Sequence, residues 1–404
     1  MISYKKSLPY GWHLVFLEDL AADQTHSIVD GPFGSNLKSE HYRTTGIPVI
    51  QSGFVTSNKF IASKYQYVDK ELFNQQKRSK VIAGDIVMAK IGAQAGTCAV
   101  LPEGHRDSIL AGNCLKMSLN ARICMSQYVL YVLHYLYSLH GFSSIKSITA
   151  QPAISLSQLK KLKILLPSVE EQEKIVSIIS AWDEAIAKTE KLITAKQVEK
   201  RGFVQRIFKA DDSPMIEFCE FVELRKDKFN PSQQGKERIC VELEHIAQET
   251  GQLIGSTKST EQSSIKNIFE PGNILFGKLR PYLRKYADPN FSGVCSTEIW
   301  VLIAKPLLCY SRYLFYLVQT HEFIVIANKS SGSKMPRADW ELVSEQPFPL
   351  PSLHKQKKAA FFLDILSHEI HLLQSLKEKL ALQKRGLMQK LLTGKWRVTV
   401  EKAD

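Results

Sequence analysis

Lys200-Arg201-Gly202-Phe203-Val204-Gln205 returns as Lys384-Arg385-Gly386-Leu387-Met388-Gln389, 184 positions later. The same offset carries Gln172 to Gln356, Pro167-Ser168 to Pro351-Ser352 and Pro152 to Pro336. It also takes Leu115, Met117 and Leu119 to Ile299, Val301 and Ile303. Gly84 and Lys90 meet Gly272 and Lys278 at an offset of 188, so a small gap lies between Lys90 and Cys114. Solenoid repeats run roughly 20 to 50 residues, and this period is far longer. Residues 84–208 and 272–392 are therefore two copies of one domain-plus-helix unit, which predicts a pseudo-symmetric protein addressing something with two halves.

The helix of each copy is written in its spacing. Ser168-Val169-Glu170-Glu171 has the form of a helix start, with Ser168 as N-cap and Glu171 at the capping-box position. Apolar residues follow at intervals of three and four: Ile175, Ile178, Ile179, Trp182, Ile186, Leu192 and Ile193. In the second copy they are Phe362, Leu363, Leu366, Ile370, Leu373, Leu376 and Leu380. Both read as heptad-like seams, uninterrupted by proline. Each segment runs about 38 residues, or about 57 Å. A stripe that long needs a partner, and the obvious one is its own repeat; the alternative is that each helix packs on its own domain. The seam is assigned to Ile175, Ile179, Trp182, Ile186 and Ile193, with Leu363, Leu366, Ile370, Leu373 and Leu380.

Before each helix the texture differs. Asp30-Gly31-Pro32-Phe33-Gly34-Ser35-Asn36 and Thr44-Thr45-Gly46-Ile47-Pro48 are turn-rich. Val49-Ile50, Asp85–Lys90, Thr97–Leu101 and Lys163–Leu166 read as strands, and Met125–His140 as a mostly buried helix. The second copy repeats the plan with strands over Asn273–Leu279 and Gly293–Ile303 and a helix over Ser311–Ala327. Strands mixed with a few helices, without βαβ alternation, predict α+β domains.

At 404 residues two to three domains are expected. A net charge of +13, with pI near 9.2, points to a polyanionic partner, because lysine and arginine displace the counterions condensed on phosphates. The seven cysteines are scattered without a CxxC pair, which predicts reduced thiols rather than disulfides or zinc. The N-terminus has no apolar signal-like core, and Tyr128–Leu139 and Tyr313–Val318 are too short to span a bilayer. The expectation is a cytoplasmic protein without a membrane partner.

Catalytic motifs are not found. Gly272-Asn273-Ile274-Leu275-Phe276-Gly277-Lys278-Leu279 resembles a P-loop, but Leu279 stands where Mg²⁺ needs Ser or Thr, and the middle reads as a buried strand. His368 and His371 lie on the long helix with no third ligand in view. There is no GxGxxG, no GxSxG and no Pro-Pro pair of an amino-methylating site. No catalytic, cofactor or metal residue is assigned. What recurs is basic residues beside the strands: Lys38, Arg43, Lys77, Arg78, Lys80 and Lys90, then Lys258, Lys266, Lys278, Arg280, Arg284 and Lys285. A polar loop precedes each closing strand, supplying Lys146, Thr149 and Gln151 in one copy and Lys329, Lys334 and Arg337 in the other. Such side chains hydrogen-bond phosphates and base edges, so all of these except Lys285 are candidate DNA contacts.

Leu166-Pro167-Ser168-Val169-Glu170-Glu171-Gln172, Leu350-Pro351-Ser352-Leu353-His354-Lys355-Gln356 and Lys384-Arg385-Gly386-Leu387-Met388-Gln389-Lys390-Leu391-Leu392-Thr393-Gly394-Lys395 together resemble the specificity subunit of a type I restriction–modification enzyme. Asp30–Ser35 and Ile274–Tyr282 are similar to stretches of its recognition domains. The resemblance implies target-recognition domains over 1–167 and 210–351, spacer helices over 168–209 and 352–394, and a tail over 395–404. It implies that the helices pair as an antiparallel coiled coil and that each domain reads half of a split site in double-stranded DNA. Two modification subunits, binding S-adenosylmethionine and methylating adenine, and restriction subunits using ATP and Mg²⁺ would dock on it; this chain would bind none of these cofactors. Two departures stand out. The first copy lacks the Thr-Gly that ends the motif, and His354-Lys355 replaces Glu170-Glu171. The alternatives are an enzyme with degenerate motifs and a coiled-coil scaffold that binds nucleic acid without sequence preference.

Overall fold

The computed structural model describes residues 8–32, 34–139, 142–143, 145–147, 151–209, 213–233, 237–329 and 335–399. They form two compact units, one built from the chain up to Lys188 together with the chain from Lys377 onward, the other from Thr189–Leu376. In the first unit an antiparallel sheet orders Ile28–Asp30, Cys114–Met117, Ile86–Ala89 and Cys98–Val100. A second sheet orders Gln66–Val68, Ile47–Ile50, Ser108–Leu110 and Lys80–Val81, its middle pair parallel. The second unit repeats both. Val222–Leu224, Ile299–Ala304, Ile274–Gly277 and Tyr286–Ala287 are antiparallel. Lys228–Phe229, Lys266–Phe269, Gly293–Ser296, Ile239–Val241 and Thr257–Lys258 follow in order, with Gly293–Ser296 and Ile239–Val241 as the parallel pair. Ile86–Ala89 and Ile274–Gly277 are buried on both faces, which is why they read as unbroken apolar runs. The P-loop-like stretch is thus a core strand.

Helix α1 (Ser126–Ser138) packs in the first core, and α2 (Val169–Phe208) follows. In the second unit the single helix expected over Ser311–Ala327 is two, α3 (Ser311–Leu317) and α4 (His321–Ala327). Thr320 breaks it: its hydroxyl accepts the Phe323 N–H at 3.2 Å and starts a new helix. The strand expected over Gly293–Ile303 also divides, at the Thr297-Glu298 turn, and its halves enter different sheets. The last long helix is α5 (Leu353–Leu392); α2 and α5 have 40 residues each.

Buried amides explain the repeated start motif of both long helices. Gln172 is fully buried; its Nε2 donates to Ile123 O and Pro167 O, each at 3.0 Å, and its Oε1 accepts Met125 N–H at 2.9 Å. Gln356 does the same with Leu308 O at 2.8 Å, Pro351 O at 2.7 Å and Tyr310 N–H at 2.8 Å. One side chain thereby ties the start of each long helix to the start of α1 or α3. Ser168 Oγ accepts the Glu171 N–H at 3.3 Å, as an N-cap does. Glu171 does not close the expected box. Its buried carboxylate accepts from Trp12 Nε1 at 3.0 Å and Arg397 Nε at 2.9 Å, stronger compensation than one amide N–H. This contact fastens the start of the first domain to the C-terminal tail. In the second copy His354-Lys355 stands at the equivalent place.

The seam is only partly confined between the helices. Ile175 and Ile179 lie in the first core with Trp12 and Tyr128, and Met388, Leu391 and Leu392 of α5 join them. Leu363 and Leu366 lie in the second core with Phe218 and Tyr313, joined by Val204 and Phe208 of α2. Each domain thus rests on the start of one long helix and the end of the other. Ile193 and Ile370 are buried outside both of those cores, and Trp182, Ile186, Leu373 and Leu380 are half-buried. Ile178, Leu192, Phe362 and Leu376 stay exposed, because a straight helix turns about 20° per heptad away from a strict seam. In the second unit Lys196 meets Glu369 at 3.1 Å and the Phe203 and Phe362 rings stand 4.9 Å apart, so α2 and α5 run antiparallel. In the first unit Lys384 meets Asp183 at 2.6 Å.

Candidate nucleic-acid interface

Each unit builds the same backbone bracket beside its central strand. After Ile86–Ala89, Lys90 O accepts Ile154 N–H at 2.8 Å, Ile91 bridges Ala153, and Gly92 N–H donates to Pro152 O at 2.9 Å. After Ile274–Gly277, Lys278 O accepts Ala338 N–H, Leu279 bridges Arg337, and Arg280 N–H donates to Pro336 O, both hydrogen bonds being 2.8 Å. The far end of each polar loop is thus pinned to a strand end. Gly92 sits at φ +99°, where glycine is at ease. Arg280 occupies that place at φ 53°, and Arg284 closes the following Pro281–Leu283 turn at φ 50°. Left-handed backbone at a non-glycine residue costs about 1–2 kcal/mol. The turn holds Arg280 and Tyr282 out to solvent.

The cationic candidates separate by what they already hold. Among the described residues, Lys77, Lys278, Arg280 and Lys329 have no ion-pair partner; Lys77, Arg280 and Lys329 are exposed and Lys278 is half-buried. Lys38 faces Glu40 at 3.6 Å, Arg43 faces Asp69 at 3.4 Å, Lys80 faces Asp107 at 2.6 Å, Lys258 faces Glu237 at 3.2 Å and Arg337 faces Glu298 at 2.9 Å. Exposed pairs of this kind are worth about 0–1 kcal/mol, so a phosphate can replace the carboxylate. Gln151 is exposed at its loop's end. Lys146 lies 4.9 Å from the centre of the Tyr137 ring, and burial pushes its ammonium down. Thr149 and Lys334 lie outside the described residues.

Four candidates are engaged by the protein's own groups. The Lys266 side chain, 4% exposed, donates to Glu242 at 2.6 Å and serves the interior. Lys90 donates to Asp30 at 2.6 Å, with both side chains mostly buried; Arg78 reaches the same carboxylate at 3.1 Å from a half-exposed position. Arg284 turns inward, donating to Gln319 O at 3.2 Å. The Asp30–Ser35 motif is accordingly structural where it is described: Asp30 anchors two cations, and a Cβ at Gly31 would stand 2.0 Å from Ala111 O. The sequence reading passed over Tyr282 and over exposed Arg106, which lies 5.4 Å from the centre of the Tyr67 ring. The Arg-Pro-Tyr sequence was the available signal for the first.

Among the described residues there is no metal-binding group of three His, Cys, Asp or Glu, and no helix is long and apolar enough to cross a membrane.

Residues 28–197 and 219–382 each match the family described as type I restriction modification DNA specificity domain. The chain is 25% identical over 396 residues to the putative type I restriction enzyme MjaX specificity subunit of Methanocaldococcus jannaschii, covering 87% of this chain and 88% of that protein. It is 24% identical over 378 residues to the MjaVIII specificity subunit of the same organism, covering 84% of each. A solved chain from work on complex assembly and conformational transition of the type I restriction–modification system superposes with TM-score 0.61 at 14% identity, over 97% of this chain and 100% of that one. The type I S subunit from M. genitalium gives 0.55 at 17%, over 97% and 98%. With both copies matched by one family model and most of the chain covered, this protein belongs to the specificity subunits of type I restriction–modification systems, their non-catalytic members.

Proposed function

We propose that this subunit reads a bipartite, gapped and non-palindromic site in duplex DNA, one half with each unit, and directs adenine methylation and restriction by its partners. The observation carrying this reading is the repeated bracket, where one backbone plan presents different side chains: Ile91-Gly92 against Leu279-Arg280, and Ala153 against Arg337. Equal frames with unequal reading groups suit a site whose halves differ in sequence. The exposed cations Lys38, Arg43, Lys77, Lys80, Lys258 and Lys329 take phosphates and set the register. Arg280, Tyr282, Gln151 and Arg337, on or beside the brackets, are assigned to the bases. The paired helices α2 and α5 act as the spacer and carry the docking surface for two modification subunits. S-adenosylmethionine, ATP and Mg²⁺ belong to the partners, and the complex works on DNA in the cytoplasm.

The test is a genome-wide map of methylated adenines in cells carrying the cognate modification subunit, with and without this chain. A two-part gapped motif that depends on the chain supports the reading. A palindromic motif, or no chain-dependent methylation despite a soluble complex, refutes it.

A further inference from the structure

The lysine of the repeated Lys-Arg-Gly motif stands over a tyrosine ring in each unit, and the copies differ in what neutralises it. In the first, Lys384 Nζ lies 5.3 Å from the centre of the Tyr131 ring and donates to Asp183 Oδ1 at 2.6 Å. The Tyr131 hydroxyl donates to the other oxygen of Asp183 at 2.9 Å. In the second, Lys200 Nζ lies 5.4 Å from the centre of the Tyr316 ring. The position equivalent to Asp183 is Ser367, whose hydroxyl lies 3.1 Å from that of Tyr316. Serine carries no charge. Asp364, which does act on Lys200, is taken by Arg312 and by the Tyr316 hydroxyl at 2.6 Å. Among the described residues Lys200 has no hydrogen-bond or ion-pair partner.

Lys200 instead lines a cavity of about 590 Å³ within the second unit, walled by α2, α5 and the loop Gln248–Gln252. Ligand sites for small molecules span about 300–1,000 Å³. Arg201 and Arg284 share Glu249, at 4.0 and 3.9 Å, and Arg312 holds both Asp288 and Asp364. Four cations therefore meet three carboxylates, and Lys200 is the one of the four without an ion-pair partner among the described residues. Lys200 is half-buried, and a partly desolvated ammonium without a counter-ion is unfavourable. Burial, and then the Arg312 guanidinium, push Lys200 down to about 8.

We propose that this cavity binds a small molecule bearing an oxyanion, phosphate or carboxylate, which gives Lys200 the counter-ion that Asp183 gives Lys384. Phe315 supplies an apolar wall, and Gln197 and Gln252 supply amides for the rest of the ligand. The site is internal to the second unit and meets the bracket assigned to DNA at Arg284, which lines the cavity and closes the turn after Arg280.

The experiment uses the full-length chain with ¹³C-dimethylated lysines, which keep their charge, titrated with inorganic phosphate, a nucleoside monophosphate and malonate. The expected result is a saturable shift at Lys200 with at least one of them while Lys384 stays unmoved. Which probe saturates distinguishes free phosphate, nucleotide and carboxylate sources. Lys200→Met removes the response. Ser367→Asp, which installs the carboxylate of the first copy, weakens binding about tenfold or more, with a cooperative circular dichroism melt no lower than the parent's as the folding control. The proposal is overturned by no saturable shift with any probe, by equal shifts at exposed lysines, or by unchanged affinity in a folded Ser367→Asp chain.

Discussion

Replacing Gln172 by leucine tests the central local claim, that one buried amide holds the start of α2 against the start of α1. The substitution keeps roughly the volume and removes three hydrogen bonds. Met125 N–H, Ile123 O and Pro167 O lose their amide partner at a residue that is fully buried. An unsatisfied buried donor or acceptor costs about 1–3 kcal/mol. Three such groups, less about 1–2 kcal/mol regained by burying the more apolar side chain, leave a net loss of about 3 kcal/mol. Amide hydrogen exchange resolved by peptide is the suitable assay, because a global melt blends two units. Exchange in the first turns of α1 and α2 should speed up roughly a hundredfold, at about 1.4 kcal/mol per factor of ten. Exchange in α3 and the first turn of α5 should barely change, and Gln356→Leu should give the mirror result. Acceleration below about tenfold in α1, or equal acceleration in both units, would refute the reasoning.

Four further outcomes follow from the same geometry. Gly394→Ala should loosen the C-terminal tail by about 1–2 kcal/mol, since Gly394 sits at φ +67° and a Cβ there would stand 2.4 Å from Pro9 Cγ; limited proteolysis after Leu392 reads the change. Four-residue insertions into both long helices near the unit boundary add about 6 Å. They should lengthen the tolerated gap and leave both half-sites unchanged in a methylome map, whereas altered half-sites would reverse the assignment of reading and spacing. Arg280→Ala and Lys329→Ala should each lower the slope of log affinity against log salt by about 1; Lys266→Met should reduce stability with little change in that slope. Lys200→Met should stabilise the chain relative to the parent at neutral pH. Burial pushes the folded lysine down to about 8 from its usual 10.5, so the unfolded chain binds more protons between those values. The parent's deficit is therefore full below pH 8 and fades as pH rises to about 10.5. Around Lys200, burial pushes the phenols of Tyr286 and Tyr316 and the carboxyl of Asp288 upward. A stability difference independent of pH in urea titrations would count against the depressed value.

The duplication, the α+β class and both long helices were legible in the chain because each rests on local rules: turn residues, β-branched runs and a three-four apolar spacing interrupted by no proline. Family membership followed from motifs whose order survives in one dimension. Other features were decided only by folding. Whether a cation is free or spent depends on carboxylates distant in sequence: Lys266 and Lys90 looked like Lys77 and Lys329 until Glu242 and Asp30 were brought to them. The Ser311–Ala327 segment has one helical pattern, yet the Thr320 hydroxyl satisfies the backbone locally and splits it. The start motif of each long helix could be quoted from sequence, but its purpose appears only where Gln172 and Gln356 meet backbone groups up to 49 positions away. The seam could not tell which of its residues face the other helix and which face a domain, since an apolar stripe records the need for burial and not the partner. The chain therefore determined its elements and their repetition, which arise from neighbours along the backbone. Tertiary structure determined charge pairing, hydrogen-bond satisfaction and the unequal fate of Lys384 and Lys200, which depend on groups that only three-dimensional packing brings within 3 Å.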